Sequence, residues 1–281
     1  MIIPRSAIAD LAAVAEHYDD LDDLYRSIWG ANLHHGYWIT GKESADEAVA
    51  NLTHLVARLA LIRPGDQVCD IGSGYGAAAL ILNHAYGATV TGITISPKQF
   101  RHAQFAAAGN SGVNFLLCDA LQNGLGSSAY DAVVAVESSE HFMDKPNLLR
   151  EGYRLLRPGG RCVIAAWLTR ECPGRWESKH LLEPICAEGR LPSLVSVAEY
   201  QTMLETAGFR EIKFFDLTQS VKKTWTICAL RLIKRVFADS ALRRRLRDPS
   251  FANRNFAKTV FRIRLAYETG AMRYGLLTAQ K

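Results

Sequence analysis

The chain has 281 residues, of which 48% are hydrophobic and 22% are charged, a balance typical of globular proteins. A chain of this length forms one large domain or two small ones, which excludes a disordered tail, a collagen-like repeat and a disulfide miniprotein. The net charge of +5 is too small, taken alone, to indicate a nucleic-acid-binding protein.

Six cysteines occur without a C-x-x-C pair, so the sequence predicts neither a zinc knuckle nor a thioredoxin-like site. Cys69, Cys118 and Cys162 each lie in an apolar run typical of a buried strand, where we expect reduced core thiols. Reduced thiols indicate a cytoplasmic protein. The start M-I-I-P-R-S lacks the pattern of a signal peptide, and no apolar run reaches the roughly 18 residues of a membrane span.

Residues 1–63 are predicted to form an N-terminal helical lid segment. This segment contains an acidic stretch, H-Y-D-D-L-D-D-L-Y, and then the aromatic, histidine-rich L-H-H-G-Y-W. It ends with A-D-E-A-V-A-N-L-T-H-L-V-A-R-L-A, whose apolar spacing is typical of an amphipathic helix.

Residues 64–218 alternate short apolar runs with helical patterns. This alternation predicts a parallel sheet, and the unbroken apolar character of the strands indicates helices on both of its faces. The main predicted strands are D-Q-V-C-D-I, A-T-V-T-G-I-T-I, V-N-F-L-L-C-D, Y-D-A-V-V-A-V and G-R-C-V-I-A-A-W, the last after the turn R-P-G-G. The helices between them are predicted at Gly76 to Ala85, Pro97 to Ala107 and Lys145 to Leu156.

The alternation lapses after Leu168, and residues 170–195 are predicted to be irregular. A helix and a strand follow, and residues 219–270 then form a second, strongly basic helical lid before a last core strand at 271–281. We interpret the basic helices first as a solvated outer face of the lid. Docking on an anionic membrane ranks second, and nucleic acid, which we do not expect to bind, ranks third.

The sharpest motif is V-C-D-I-G-S-G-Y-G, which follows the first strand and opens a helix. Gly72 and Gly74 permit a tight turn and close approach of a ligand to the backbone. The spacing G-x-G-x-G differs from the dinucleotide pattern G-x-G-x-x-G, and the carboxylate of Asp70 disfavours a pyrophosphate. A cofactor with a cationic amino-acid end suits that carboxylate, which favours S-adenosylmethionine over NAD.

Two more strand ends agree with a nucleoside ligand. Asp119 can accept a hydrogen bond from an adenine amino group, and the Ala120 amide can donate to a ring nitrogen. Thr94 and Gln99 can bond ribose hydroxyls without charge. Alternatively, Thr94 is only a strand residue and Gln99 only a surface residue.

These motifs, together with L-R-P-G-G-R, resemble the class I S-adenosylmethionine-dependent methyltransferases. More narrowly, L-H-H-G-Y-W and V-E-S-S-E-H-F-M-D-K resemble the γ-tocopherol methyltransferase-like group, which includes bacterial natural-product methyltransferases. The resemblance covers nearly the whole chain and implies a doubly wound, mostly parallel seven-stranded α/β fold, Rossmann-like, with helical lid segments. The cofactor contacts that it implies are Asp70, Gly72, Ser73, Gly74 and Gly76 at the methionine end, Thr94 and Gln99 at the ribose, Asp119 and Ala120 at the adenine, Tyr37 and Trp38 over the sulfonium, and in addition Ile95 and Glu137.

His141 is the leading candidate for a general base, because it follows the fourth strand at the edge where open α/β sheets bind ligands. Glu140, beside it, is the second catalytic candidate. Alternatively, His141 only caps the next helix, or positions an acceptor that needs no base.

Four side chains are candidates for contact with the acceptor. His34 and His35 are predicted to form a pocket wall, with core packing as the close alternative; a metal site is not expected, since no third ligand has suitable spacing. Trp167 can stack on an aromatic acceptor. Trp225 either belongs to a lid or anchors the C-terminal helices.

The sequence therefore predicts methyl transfer from S-adenosylmethionine, with S-adenosylhomocysteine as product, to a small, apolar, aromatic or isoprenoid acceptor at O, C or N. The runner-up is cyclopropane-synthase-like methyl transfer to a lipid acyl chain. A cofactor-binding scaffold without activity and an RNA methyltransferase are the remaining alternatives. The oligomeric state stays open.

Overall fold

The structure, a computed structural model, describes residues 11–30, 33–248, 251 and 255–281. Residues 1–10, the start of the predicted N-terminal lid, lie outside the described residues. The strands are β1 (Gln67–Ile71), β2 (Thr89–Thr94), β3 (Val113–Leu117), β4 (Tyr130–Val136), β5 (Leu156–Thr169), β6 (Val195–Ser196), β7 (Arg210–Asp216) and β8 (Met272–Gln280). The helices are α1 (Leu11–Ile28), α2 (Ala45–Leu59), α3 (Ala77–Tyr86), α4 (Pro97–Ala106), α5 (Lys145–Leu155), α6 (Arg175–Glu177), α7 (Glu183–Glu188), α8 (Val197–Thr206), α9 (Thr218–Val221), α10 (Lys223–Ala238), α11 (Ser240–Arg247) and α12 (Phe256–Glu268).

The strands form one sheet in the order β3-β2-β1-β4-β5-β8-β7. β1 to β5 are parallel, whereas β8 runs antiparallel to both β5 and β7. The predicted doubly wound α/β fold is thereby confirmed, with eight described strands instead of seven because β6 pairs with the end of β5. The strand order reverses between β1 and β4, and such a reversal opens a crevice at the carboxyl ends of the strands.

Both faces of the sheet are covered, as the continuous apolar strands predict. Successive residues of β1 point to opposite sides, so that Val68 joins one buried cluster and Cys69 the other; Val134 and Val133 of β4 divide in the same way. Cys69 and Cys162 are buried free thiols in this core, as expected, and Cys118 is half-buried.

Two helical segments lie over the carboxyl edge of the sheet. α1 and α2 precede β1, and α10, α11 and α12 are inserted between β7 and β8. α1 packs against α4 and α10, so the two segments meet. Ser44 and Glu47 begin α2 with a capping box, each side chain bonding the other's backbone amide.

Residues 170–195, predicted to be irregular, contain α6, a π-helical turn (Ser178–Leu182) and α7. The prediction was wrong because three prolines interrupt the apolar spacing, and tertiary contacts supply the order instead. Glu188 at the end of α7 accepts hydrogen bonds from Thr259 and Arg262 of α12, which ties this segment to the C-terminal lid. The turn expected at R-P-G-G instead lies inside β5, whose pairing with β4 is irregular there.

Over the described part of the chain, no helix combines the length and the apolar character that crossing a bilayer requires.

Candidate functional site

Two neighbouring cavities lie at the carboxyl edge of the sheet. The first cavity has a volume of about 1000 Å³, part of it open to solvent, and receives the ends of β1, β2, β3 and β4. The structure brings most of the predicted cofactor residues together here. Those that line it are Asp70, Gly72, Ser73, Gly74, Thr94, Ile95, Gln99, Asp119, Ala120 and Glu137.

The glycines of the loop after β1 have three different roles. Gly72 has φ +80°, and a Cβ there would lie 2.2 Å from Cβ of Ser138, so only glycine fits. Gly74 has φ +56°, and a Cβ there would meet no atom within 4 Å, because its backbone faces the cavity. Gly76 does not line the cavity, contrary to prediction. A Cβ at Gly76 would lie 2.5 Å from the ring of Phe115, so this glycine allows close packing of the loop on β3.

Asp70 is a buried acid without its full complement of partners. It is 1% exposed, and its Oδ2 atom has no hydrogen-bond partner within the described structure. Burial raises the pKa of this carboxyl to about 7. A buried carboxylate in this state suits a cationic ligand group, such as the ammonium of an amino acid.

The ends of β2 and β3 also offer hydrogen-bonding groups to a ligand. Thr94 Oγ1 donates to Gln99 Oε1 at 3.0 Å, which orients the Gln99 amide toward the cavity. Asp119 accepts from the Leu121 amide at 2.9 Å and so begins the short helical turn at Ala120–Gln122. These are polar contacts of the kind a ribose and an adenine require, and they fit the cofactor that the sequence predicts.

The second cavity, of about 710 Å³, adjoins the first and is walled mainly by aromatic and aliphatic side chains. Trp225 of α10 lies edge-on to Trp29 and to Trp167, with ring centroids 5.7 and 5.5 Å apart. Ile185 of α7 and Ile263 of α12 complete the wall, so α7 contributes together with the N-terminal and C-terminal helical segments. Trp167 and Trp225, the two tryptophans predicted to contact the acceptor, both line this cavity.

His141 lines both cavities. Its Nδ1 lies 3.3 Å from the Arg190 carbonyl and must donate to it, because a carbonyl can only accept. In the neutral ring Nε2 is then the acceptor, and it accepts a hydrogen bond from the Tyr18 hydroxyl at 2.8 Å. Burial lowers the pKa of His141 to about 4, with nearby His17 adding to the effect. The ring is therefore neutral at physiological pH and presents an oriented lone pair at the junction of the cavities.

Glu137 is a fully satisfied buried carboxylate. Its Oε1 accepts from the His35 amide (2.6 Å) and the Tyr274 hydroxyl (2.7 Å), and its Oε2 from His35 Nδ1 (2.9 Å) and Trp167 Nε1 (2.8 Å). Burial opposes ionisation, but His35 and the other donors outweigh it and hold the pKa of Glu137 at about 2. The backbone has φ +51°, a strained conformation of the kind that concentrates at functional sites.

Glu140 contrasts with Glu137. It lines the second cavity, and one carboxyl oxygen accepts from the Trp167 amide at 2.5 Å. Burial, partly offset by that hydrogen bond, raises the pKa of Glu140 to about 7. One acid is thus permanently charged, whereas the other can gain or lose a proton near neutral pH.

His34 and His35 separate in the structure. His34 lines the first cavity, its Nδ1 donates to the His35 carbonyl at 2.9 Å, and its Nε2 is buried without a partner among the described residues. His35 lines neither cavity, which corrects its assignment to the acceptor pocket. Besides Glu137, its Nε2 accepts from Trp225 Nε1 at 2.6 Å, so it is the core-packed histidine of the alternative interpretation.

Tyr37 and Trp38 are a second correction, because neither lines either of these cavities. The Tyr37 amide donates to the Ala48 carbonyl of α2. Trp38 is buried against α10, where its indole donates to Thr224 Oγ1 at 3.4 Å and its ring lies beneath Lys223. Tyr37 packs against the buried core and Trp38 against α10, so both side chains lie outside the two cavities.

α1 contributes side chains to the site that the sequence pattern did not predict. Tyr18 lines both cavities, Asp19 accepts from Ser96 Oγ at 2.6 Å, and Asp22 accepts from the Tyr75 hydroxyl. The acidic stretch therefore fastens the lid to the loops after β1 and β2. The signal was present as H-Y-D-D-L-D-D-L-Y, but a run of acids is more often a solvated helix face.

Comparison with known proteins agrees with this geometry. Residues 5–242 match the family model described as mycolic acid cyclopropane synthetase. The chain belongs to this family of S-adenosylmethionine-dependent methyltransferases. The cofactor of this enzyme is S-adenosylmethionine, and the residues that line the first cavity fit it.

Individual relatives include methyltransferases of natural products. The chain is 33% identical to 27-O-demethylrifamycin SV methyltransferase of Amycolatopsis mediterranei, over 95% of this chain and 96% of the relative. It is 27% identical to the chloroplastic tocopherol O-methyltransferase of Arabidopsis thaliana, over 95% and 81%. The crystal structure of the cyclase SpnF superposes with a TM-score of 0.81 at 27% identity, covering 100% of this chain and 97% of that one. The predicted membership of the S-adenosylmethionine-dependent methyltransferases is confirmed, and tocopherol methyltransferases are among the relatives.

Proposed function

We propose that this methyltransferase methylates a hydroxyl oxygen of a largely apolar, ring-bearing natural product held in the second cavity. The observation that carries the proposal is the position of His141, which lines both cavities with an unprotonated Nε2. The aromatic wall of Trp29, Trp167 and Trp225 suits a flat or ring-bearing acceptor. The rifamycin relative, named as a methyltransferase for an oxygen position, supports the same class of acceptor.

The chain's own residues divide the work between binding and proton transfer. Asp70 would pair with the ammonium of the cofactor, Thr94 and Gln99 would bond its ribose, and Asp119 with the Ala120 amide would bond its adenine. When bound, S-adenosylmethionine supplies an electrophilic methyl group. Val14 and Tyr18 of α1 line the first cavity and shield part of it from water.

His141 acts as the general base. The Arg190 carbonyl fixes its tautomer, so that Nε2 can take the proton from an acceptor hydroxyl. Tyr18 occupies Nε2 before the acceptor arrives, and the acceptor hydroxyl takes over this hydrogen bond. The hydrogen bond from Nδ1 to the Arg190 carbonyl stabilises the imidazolium that forms.

A second candidate, methyl transfer to the double bond of a lipid acyl chain, is favoured by the match to the family model. In that reaction the methylated carbon chain is a cation, and it closes to a cyclopropane when a base removes a proton from the added methyl group. His141 or Glu140 would be that base. An acyl acceptor needs a long channel, whereas the second cavity is a compact aromatic pocket, and we therefore favour the natural-product acceptor.

The test begins with calorimetric titration of S-adenosylhomocysteine, with NAD as the control ligand. We then expect turnover on a phenolic or macrocyclic acceptor from a panel that also holds isoprenoids and unsaturated phospholipids. His141→Ala should lower kcat by about 100-fold or more and leave S-adenosylhomocysteine binding unchanged. His84→Ala, an exposed histidine on α3, is the matched control.

Each other outcome has a definite meaning. An unchanged kcat for His141→Ala would contradict the base assignment and indicate methylation of carbon or nitrogen. Turnover on phospholipids alone would establish the second candidate. Tight binding of S-adenosylhomocysteine with no turnover on the panel would indicate a scaffold, or a reaction without methyl transfer.

We also place the reaction in the cytoplasm. All six cysteines are free, four of them buried, and a reducing compartment keeps them so.

A further inference from the structure

The C-terminal lid carries a row of exposed apolar side chains on its outer surface. Twelve large apolar side chains are exposed among the described residues, and five of them belong to just two helices. Phe237 is 80% exposed and Leu230 is 61% exposed. We call these five side chains the outer row: Leu230, Ile233 and Phe237 of α10, and Phe261 and Leu265 of α12.

The spacing of the outer row places it on a single surface. Leu230, Ile233 and Phe237 follow i, i+3, i+7 and so share one face of α10, and Phe261 and Leu265 are four residues apart on α12. The two helices pack side by side, and Lys222 pairs with Glu268 at 3.4 Å, so the start of α10 lies at the end of α12. The helices are therefore antiparallel neighbours with their exposed faces alongside each other.

The segment that carries the outer row is strongly basic. Residues 222–268 contain thirteen lysines and arginines against three acidic residues, although the whole chain has a net charge of only +5. Lys234 and Arg264 are exposed on the two helices that carry the row. An apolar strip edged by lysine and arginine complements an anionic lipid surface, whose headgroups attract the cations while the apolar side chains enter the bilayer boundary.

The opposite faces of the same helices line the second cavity. Val260 and Ile263 of α12 and Trp225 of α10 contribute to its wall. The outer row thus lies one helix thickness, roughly 10 Å, from the place where the acceptor is held. An apolar acceptor dissolved in a membrane could enter between these helices without crossing water.

We propose that the outer row docks this enzyme on the surface of an anionic phospholipid bilayer, from which the apolar acceptor is collected. The acceptor part of this statement rests on the proposed function, but the docking itself does not. The lid helices then serve two purposes, closing the second cavity on one side and contacting lipid on the other.

The experiment is co-sedimentation of the full chain with vesicles. One set consists of phosphatidylcholine alone, and the other of phosphatidylcholine and phosphatidylglycerol in equal amounts. We expect binding to the anionic vesicles only, weakening as salt is raised. Phe237→Ser and Phe261→Ser should each lower the partition coefficient about tenfold. Lys234→Gln and Arg264→Gln should each lower it about fivefold.

Matched controls come from α4, which follows β2 and is not one of the two helices that carry the outer row. Phe105→Ser removes a phenylalanine that is 85% exposed, and Arg101→Gln removes an exposed cation. Neither should change vesicle binding. Calorimetric binding of S-adenosylhomocysteine, measured on every variant, verifies that the fold is intact and reports separately on the methyltransferase assignment.

Three results would overturn the docking proposal. The first is no binding to anionic vesicles, and the second is binding that the outer-row variants leave unchanged. The third is a dimer by light scattering that Phe261→Ser dissociates, since the occupant would then be a second copy of the chain.

Discussion

Asp70→Asn should remove the loss of stability that the ligand-free protein undergoes as pH rises, and at the same time impair cofactor binding. The native carboxyl is 1% exposed, and burial raises its pKa from 3.8 to about 7. A raised carboxyl pKa means that the stability this group contributes is present below the unfolded pKa and is lost as pH rises through the folded pKa. A pKa shift of this size corresponds to a total loss of stability of about 4 kcal/mol as pH rises. About 2.5 kcal/mol of this loss occurs between about pH 5 and pH 8.

Asparagine does not titrate, so the variant should not lose this stability. Relative to the native protein, its free energy of unfolding should therefore rise by about 2.5 kcal/mol between about pH 5 and pH 8. The amide nitrogen of asparagine needs its own partner, but its cost does not change with pH and leaves the difference in slope intact. Urea unfolding of the ligand-free proteins at several pH values measures the slope. Asp23→Asn, which changes an exposed acid on α1, is the control. Its free energy of unfolding should change with pH with the same slope as that of the native protein.

The binding half of the prediction has the opposite sign. The cofactor's ammonium gives Asp70 a charged partner worth about 1.5–3 kcal/mol, so S-adenosylhomocysteine should bind the variant about 10- to 100-fold more weakly. Native affinity should also decline below about pH 7, where Asp70 is protonated, whereas the affinity of the variant should not. Parallel stability slopes, or equal affinities of the native and variant proteins, would refute this account of Asp70.

Three further predictions concern other parts of the site. Gly72→Ala should abolish calorimetric binding of S-adenosylhomocysteine, since its Cβ would lie 2.2 Å from Ser138; normal binding would mean that the loop and Ser138 can separate. Tyr274→Phe removes one of four donors to Glu137 and should lower the free energy of unfolding in urea by about 1–3 kcal/mol. No change would mean that Glu137 is not ionised in the folded protein. Because the pKa of His141 is about 4, kcat should show no histidine titration between neutral pH and about pH 5. A pH–rate profile with a limb near the ordinary histidine pKa would contradict the burial of that ring in the working enzyme.

Much of the cofactor site could be predicted from the sequence, because it depends on local geometry. Asp70, Thr94 and Asp119 each end or follow a parallel strand, and the ends of parallel strands meet at one edge of a sheet. The glycines at 72 and 74 mark positive φ angles that other residues adopt at a cost. Patterns of this kind are contained in a few consecutive residues.

The acceptor side could not be predicted in the same way, because its residues come from segments far apart in the chain. Tyr18 meets His141 across 123 positions, and Trp225 meets His35 across 190. The aromatic stretch L-H-H-G-Y-W predicts a pocket wall at His35, and the family resemblance implies a cofactor contact at Tyr37. Neither position carries a local signal of which way the side chain faces.

The sequence by itself determined the α/β class, the glycine loop, the cofactor and the acids that end the strands, since strand periodicity and turn chemistry are properties of neighbouring residues. Only the tertiary structure decided which aromatic residues wall the second cavity, that α7 joins the lid, and that Glu137 stays charged while Glu140 can take a proton. Those properties depend on burial and on donors brought from other helices and strands, and such contacts exist only after the chain has folded.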